Sequence, residues 1–447
     1  MHTLVASEFD SYLVFLRTLA GMPSVFEHPQ DIEKAITYCK NIFEENLPSD
    51  YRIYFDAQHN LIACPKFIDP DYNIVYLSAH VDTVDAKPEE WDAPFAPFKP
   101  YEDEKELVAR GVSDCKAGVA HQLFLSHLIH EGKFQPRNLI FTITFKEEGV
   151  GAKTATQIGK ELGKALPLAG PGKSTYLIVL ENNVMVGDPP TLGVYTGERS
   201  TYVIALRGTI AELQAHLRRL TRWNPVTMSP QGEEFAQEEK TLKWEITNQQ
   251  GGHVCSVERD VNALTQKILE ADPNARIKAG DEKAFSMVPT EIHVAQAEKP
   301  MIHRMILNNR TFDSLEEIHK QLEGIDYAEV KEFALSEGYD LSEKIAQNKI
   351  WEVMKGCENN PKLKIEYTFN IGGSDAKTIS SSMTDPKWRE HFYPLVMGPG
   401  TRSQRHATPP RLTHGKNETF DKESGKQAVV FITQVLERLG AVKIDLL

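Results

Sequence analysis

Two adjacent acids, Glu147 and Glu148, follow the apolar run NLIFTITF and stand just before the glycines of KEEGVG. Neighbouring side chains on extended backbone point opposite ways, so one site cannot use both acids alike. A second apolar run, NIVYLSAH, ends in His80, and Asp82 two positions on has the placement of a carboxylate that orients an imidazole. Asp114 lies in RGVSDCKAG ahead of a helical stretch, Glu181 follows TYLIVL, and His414 lies in THGKNETF. Each has an ordinary reading when taken singly. A strand-end histidine is usually structural, an Asp before a helix is usually an N-cap, and a glutamate pair is usually solvated. Cys115 alone reads as a small buried hydrophobe. His121, His127 and His130 read as structural, because nothing else converges on them. Taken together, two histidines and three carboxylates, with one acid to spare, are an N/O donor set for paired zinc-like ions. A bridging carboxylate, with one histidine and one terminal carboxylate per ion, suits a two-metal hydrolase.

The elements that must position these residues follow from periodicity. Residues 8–20 and 30–46 have helical spacing, with Ser7 and Asp10 reading as a capping box. YRIYFDAQHNLIAC reads as a hairpin turning at Gln58-His59-Asn60. Apolar runs at 73–80, 138–145 and 175–181 alternate with helical or loop segments, which predicts an α/β domain with a largely parallel sheet. Chemistry in such sheets gathers at the carboxyl ends of strands, where His80, Glu147, Glu148 and Glu181 all fall. The middle of the chain reads as an inserted α+β segment, with strands in TYVIALRG, LKWEITN and around 285–309, helices near 210–222 and 259–270, and a last helix over 314–322. The α/β pattern then resumes. The expectation is a discontinuous catalytic domain over 1–197 and 336–447, with a mixed, mainly parallel sheet flanked by helices, and an inserted domain over 198–335.

Composition excludes several function classes. The 447 residues carry 50 Lys+Arg against 63 Asp+Glu, a formal charge of −13 that repels phosphate backbones and argues against nucleic acid. No Gly-rich phosphate loop opens a helix after a strand. No apolar run reaches the roughly 18 residues that span a bilayer, so no membrane partner is expected. Glu8, Asp10 and Arg17 interrupt the N-terminal apolar stretch, which does not read as a targeting signal. The 5 cysteines are scattered without CxxC pairs, as for reduced thiols in a cytoplasmic protein.

In order along nearly the whole chain, HVDTV, RGVSDCKAG, FKEEGVG, LEN, NIGGSDA and HGKNE resemble the M20 metallopeptidase family. That family includes deacetylases, desuccinylases, aminoacylases, dipeptidases and glutamate carboxypeptidases. The resemblance implies that His80, Asp114 and Glu181 hold one zinc and that Asp114, Glu148 and His414 hold the other, with Asp114 as the bridge. It implies that Asp82 supports His80 and that Glu147 is the general base. Cobalt or manganese fit the same donors. The insert resembles the family's lid and dimerisation domain, which implies a homodimer, with His253 in GGHVCSVERDVNAL reaching the partner's active site. NNRTF, with Arg310, resembles another lid segment, and the loop of Gly372, Gly373 and Ser374 resembles one that holds a substrate carboxylate. Lys377 stands where the family commonly has Arg, and so binds a carboxylate as a point charge without the bidentate fork. Ala117 stands where glycine is common, and Arg402, Arg405 and Arg411 precede the last ligand, reading slightly more as solvated loop charges than as substrate contacts. The implied substrate is a small molecule or peptide with a free carboxylate, cleaved at an amide bond. Glu181, where family aminopeptidases tend to carry Asp, leans toward a deacylase or carboxypeptidase. The alternatives are a dipeptidase or aminopeptidase of the same family, and a zinc-binding relative without catalysis.

Overall fold

The computed structural model describes residues 2–149, 154–208, 242–245, 286–294, 303–311, 315–325, 329–330, 338–341, 344, 348–358, 360–370, 373–384, 390–402 and 414–444. The chain forms two compact units. One comprises Met1–Gly197, Asp340–Thr368 and Ser374–Leu447, and the other Glu198–Tyr339 with Phe369–Gly373.

The first unit is α/β. Its main sheet runs, in spatial order, through the strands at 51–55, 61–65, 139–144, 74–80, 175–179, 392–396, 191–198, 184–185 and 401–402. Four central strands, Leu139–Thr144, Ile74–His80, Thr175–Val179 and Phe392–Val396, are mutually parallel and buried along their whole length. Their near-continuous Val, Ile, Leu and aromatic content is what a parallel strand covered on both faces requires. Antiparallel strands flank them, so the sheet is mixed. The first hairpin pairs Tyr51–Phe55 with Leu61–Pro65. Its turn is tied by the Asp56 carboxylate, which accepts the N–H groups of Gln58 at 2.8 Å and Asn60 at 3.0 Å while His59 takes a left-handed φ of 64°.

Helix Lys116–His130 packs on the 74–80 strand and against helices Phe9–Ala20 and Pro29–Asn46. It buries Leu123, Phe124 and Leu128 completely, each side chain contributing about 1.5–3 kcal/mol. Its first turn runs hard against the end of the 175–179 strand. A Cβ on Gly118 would lie 2.1 Å from the Leu180 carbonyl oxygen, so only glycine permits this approach. His121 is buried and shares a 3.2 Å hydrogen bond with Thr433, His127 packs edge-on to Phe15, and His130 is exposed. Ser7 and Asp10 do not form the capping box that the sequence suggests. Ser7 ends a short helix, His2–Ser7, and its hydroxyl donates back to Leu4, leaving helix Phe9–Ala20 with no side-chain cap. A serine hydroxyl readily bonds a carbonyl three residues back, and here it closes the end of its own helix.

A small sheet completes the frame of the site. Strand Thr419–Asp421 pairs with Glu106–Val108, and Glu106–Val108 with Tyr101–Glu102. This pairing sets the C-terminal loop at 414–418 beside the loop at 109–115.

The second unit is built on an antiparallel sheet in the order 242–245, 286–294, 303–311, 200–208, 329–330. Pro289 falls where the register shifts, the place at which a strand tolerates a missing donor. Helix Leu315–Leu322 buries Ile318 and Leu322. The helices expected near 210–222 and 259–270 lie outside the described residues.

Candidate metal centre

The donors come from three neighbouring parallel strands and two loops. His80 is the last residue of strand Ile74–His80, opposite Thr144 in register. Glu147 and Glu148 follow the end of Leu139–Thr144, and Glu181 follows Thr175–Val179. Asp114 lies two residues before helix Lys116–His130, ahead of the N-cap position Cys115, and its peptide bond to Cys115 is cis. His414 enters from the C-terminal loop with a left-handed φ of 59°.

Asp114 sits between the two histidines. Its Oδ1 lies 3.2 Å from His80 Nε2, and its Oδ2 lies 3.3 Å from His414 Nε2. Glu181 Oε2 is 3.9 Å from His80 Nε2, and Glu148 Oε1 is 3.0 Å from His414 Nε2. Donor atoms of His80, Asp114 and Glu148 lie within 4.8 Å of one another, as do those of His80, Cys115 and Glu181. The Cys115 thiol is directed to the Leu180 carbonyl at 2.7 Å.

Asp82, fully buried, links the His80 strand to the turn of the two glutamates. Its carboxylate lies 3.5 Å from His80 Nδ1 and accepts the N–H groups of Glu147 at 3.3 Å and Glu148 at 3.0 Å. The Asp82 carbonyl meets His80 Nδ1 at 3.0 Å. Both contacts turn Nε2 toward Asp114. The Glu147 carboxylate, by contrast, has no hydrogen-bond or ion-pair partner among the described residues.

The electrostatics are those of acids crowded out of water. Burial pushes the Glu148 carboxyl up to about 7 and raises Glu181 well above the ordinary range, with the nearby Asp114 charge adding to both. Burial would raise Asp114 too, but hydrogen bonds from His414 and His80 outweigh it and hold that carboxyl well below the ordinary range. Burial alone would lower both imidazoles. The hydrogen bonds to Asp114 and Asp82, with the nearby Glu181 charge, raise His80 instead, and Glu148 with Asp114 raises His414. Glu181 Oε1 is buried without a hydrogen-bond partner among the described residues. An orphaned carboxylate oxygen, with two imidazoles and two more acids converging beside it, fits divalent cations bound through N and O donors.

The remaining sequence candidates are spread more widely. Ser374 caps helix Asp375–Ser381, accepting the Ala376 N–H at 3.1 Å, and Lys377 on that helix is fully buried. Gly373 is half-buried. Arg402 donates to Asn182 through its carbonyl and its side-chain oxygen, so it braces the segment after Glu181. Arg310 lies on strand His303–Thr311 of the second unit. His253, Gly372, Arg405 and Arg411 lie outside the described residues. Two buried acids join the site without standing out in the sequence: Glu418, whose carboxylate accepts the Asp114 N–H at 3.0 Å, and Asp375, bonded to Thr144 at the end of the central strand. Their signal in the sequence is slight, an acid inside a motif already credited to its neighbours.

Residues 76–438, which span every one of these donors, match the model of peptidase family M20/M25/M40. The chain belongs to that family. It is therefore a metal-dependent hydrolase. Over 80 residues the M20 chain is 39% identical to the N-formyl-4-amino-5-aminomethyl-2-methylpyrimidine deformylase of Bacillus subtilis strain 168, a match covering 17% of this chain and 18% of that relative. Solved structures share the fold over far more of the chain. The di-peptidase Dug1p from Saccharomyces cerevisiae aligns with a TM-score of 0.64 at 14% identity, covering 98% of each chain. Human carnosine dipeptidase 1 aligns at 0.63 and 14%, covering 98% of this chain and 99% of that one. The metallo-carboxypeptidase Sso-CP2 from Sulfolobus solfataricus aligns at 0.62 and 15%, covering 96% and 99%. Among the described residues no helix is long and apolar enough to cross a membrane, and Cys39, Cys64, Cys115 and Cys357 are free and buried.

Proposed function

We propose that this M20 enzyme is a di-zinc hydrolase that cleaves the amide bond of an N-acyl amino acid or small peptide bearing a free carboxylate. The observation that carries this reading is Asp114, one oxygen 3.2 Å from His80 and the other 3.3 Å from His414. His80, Asp114 and Glu181 would hold one ion, and Asp114, Glu148 and His414 the other. Such a pair polarises the scissile carbonyl and lowers the pKa of water toward neutrality. Zinc suits these borderline N and O donors, and cobalt or manganese suit them too.

Glu147 removes the proton of the attacking water and returns it to the leaving amine. That role needs a carboxylate not tied up elsewhere, and Glu147 has no partner among the described residues. Asp82 fixes the backbone of Glu147 and Glu148 and the tilt of His80 together. In the same reading His253 stabilises the oxyanion, while Arg310, Lys377 and the loop of Gly372, Gly373 and Ser374 take the substrate carboxylate. Dimerisation through the inserted unit and a cytoplasmic location complete it. The names of the similar proteins, a deformylase, dipeptidases and a metallo-carboxypeptidase, are consistent with amide hydrolysis.

The test is Glu147→Gln, with zinc counted per chain and turnover measured on a panel of N-acetyl amino acids and dipeptides. Turnover should fall about 10²- to 10⁴-fold with zinc content unchanged. A variant that keeps most of its turnover sinks the mechanism, and wild-type activity confined to dipeptides moves the substrate to the dipeptidase side.

A further inference from the structure

We infer that Arg110 and Glu418 are a positioning pair that locks the Asp114 loop to the His414 loop and so sets the spacing of the two cation sites. The inference rests on the two-cation reading above. Glu418 is buried, and four donors share its carboxylate. Oε2 accepts Arg110 Nη1 and the Gly111 N–H, both at 2.9 Å, and Oε1 accepts the N–H groups of Ser113 at 2.9 Å and Asp114 at 3.0 Å. The backbone of Glu418 joins in, its carbonyl accepting the Ala109 N–H at 3.0 Å. Arg110, also buried, reaches the other loop with its second amino group, Nη2, which donates to the His414 carbonyl at 3.3 Å. The bridging acid and the last histidine therefore hang from one ion pair, although they are 300 positions apart in the sequence, 114 against 414.

A buried ion pair is a poor source of net stability, because desolvation offsets most of the attraction. What this one secures is geometry. Only a carboxylate presents two acceptor oxygens to four donors, and only a guanidinium donates to Glu418 and to a carbonyl from the same plane. A glutamine at 418 would turn an NH₂ toward two N–H donors and release one side of the Asp114 loop.

The experiment compares wild type, Glu418→Gln, Arg110→Gln and the double variant. Zinc affinity is measured by competition with a chromogenic chelator, urea unfolding is measured in EDTA, and kcat and KM are measured across zinc concentrations. Each single variant should bind its weaker zinc about 10–100-fold less tightly. The double variant should lose no more than the worse single one, since the pair acts as a unit. Lost kcat should return as zinc is raised, with KM unchanged. Arg110→Lys keeps the charge without the fork and should fold, with a smaller loss of zinc affinity. Wild-type zinc affinity in the variants, including Arg110→Lys, overturns the inference, as do single losses that simply add. Wild-type protein that takes up fewer than two zinc ions removes the two-cation reading itself, whereas two ions bound with wild-type affinity in every variant removes only the clamp.

Discussion

Asp82→Asn probes the joint between the proposed metal ligand His80 and the proposed base Glu147. Three donors converge on the Asp82 carboxylate: His80 Nδ1 at 3.5 Å and the N–H groups of Glu147 and Glu148 at 3.3 and 3.0 Å. Asparagine has the same shape but one acceptor oxygen, so its NH₂ must face at least one of them. Hydrogen bonds to charged groups contribute about 1.5–3 kcal/mol, and the metal-free variant should lose roughly that much stability in urea unfolding. The Asp82 carbonyl still holds His80 at 3.0 Å, so the imidazole stays near its place. Zinc affinity should therefore fall about 10–100-fold without being abolished. The decisive reading is kcat at saturating zinc. If the Glu147 backbone is anchored by Asp82, a displacement on the order of 1 Å should cost about 10²-fold even with both ions present. A variant within about 0.5 kcal/mol of wild type, with unchanged zinc affinity and kcat, refutes the reasoning.

Three further outcomes are expected. Glu148 at about 7 and the raised Glu181 hold protons in the metal-free protein, so zinc must displace them and its affinity should fall as pH drops below 7; calorimetry in buffers of different ionisation enthalpy counts the protons, and no release contradicts the assignment. Burial holds His121 down at about 3 against about 6.5 in the unfolded chain, so the unfolded chain binds the extra proton between those values. Stability should be whole above about 6.5 and decline by about 2 kcal/mol at pH 5, and His121→Gln should flatten that slope in urea unfolding. Gly118→Ala sets a methyl 2.1 Å from the Leu180 carbonyl and should cost about 1–3 kcal/mol, read as a lower Tm with reduced activity as Glu181 shifts; an unchanged Tm rules out the close approach.

The fold class is legible because buried parallel strands announce themselves: the runs ending at His80, Thr144 and Val179 are apolar throughout, and the helical period between them allows few other arrangements. Of the candidate donors, His80, Glu148 and Glu181 stand out because they sit where those runs end, whereas Asp114 and His414 come from loops. What local pattern cannot supply is the long-range polar wiring. Nothing near Glu418 says that its carboxylate will gather N–H groups from residues 111, 113 and 114, or that Arg110 will reach the His414 carbonyl. Ser374, in a loop that resembles a substrate-binding segment, is seen to cap a helix, a task its sequence serves equally well. The small helix His2–Ser7 escapes because its 6 residues carry too little periodic pattern to read.

The placement of His414 and Glu418 also bears on when this enzyme becomes one. A chain growing from its N-terminus exposes His80, Asp114, Glu148 and Glu181 early, yet the bridging loop has no acid to hang from until residue 418 has been made. The nascent polypeptide thus carries most of a hydrolytic centre in an unassembled form. On the proposed assignment the donor set still lacks His414 at that stage, and it closes only once residues 414–418 have been made.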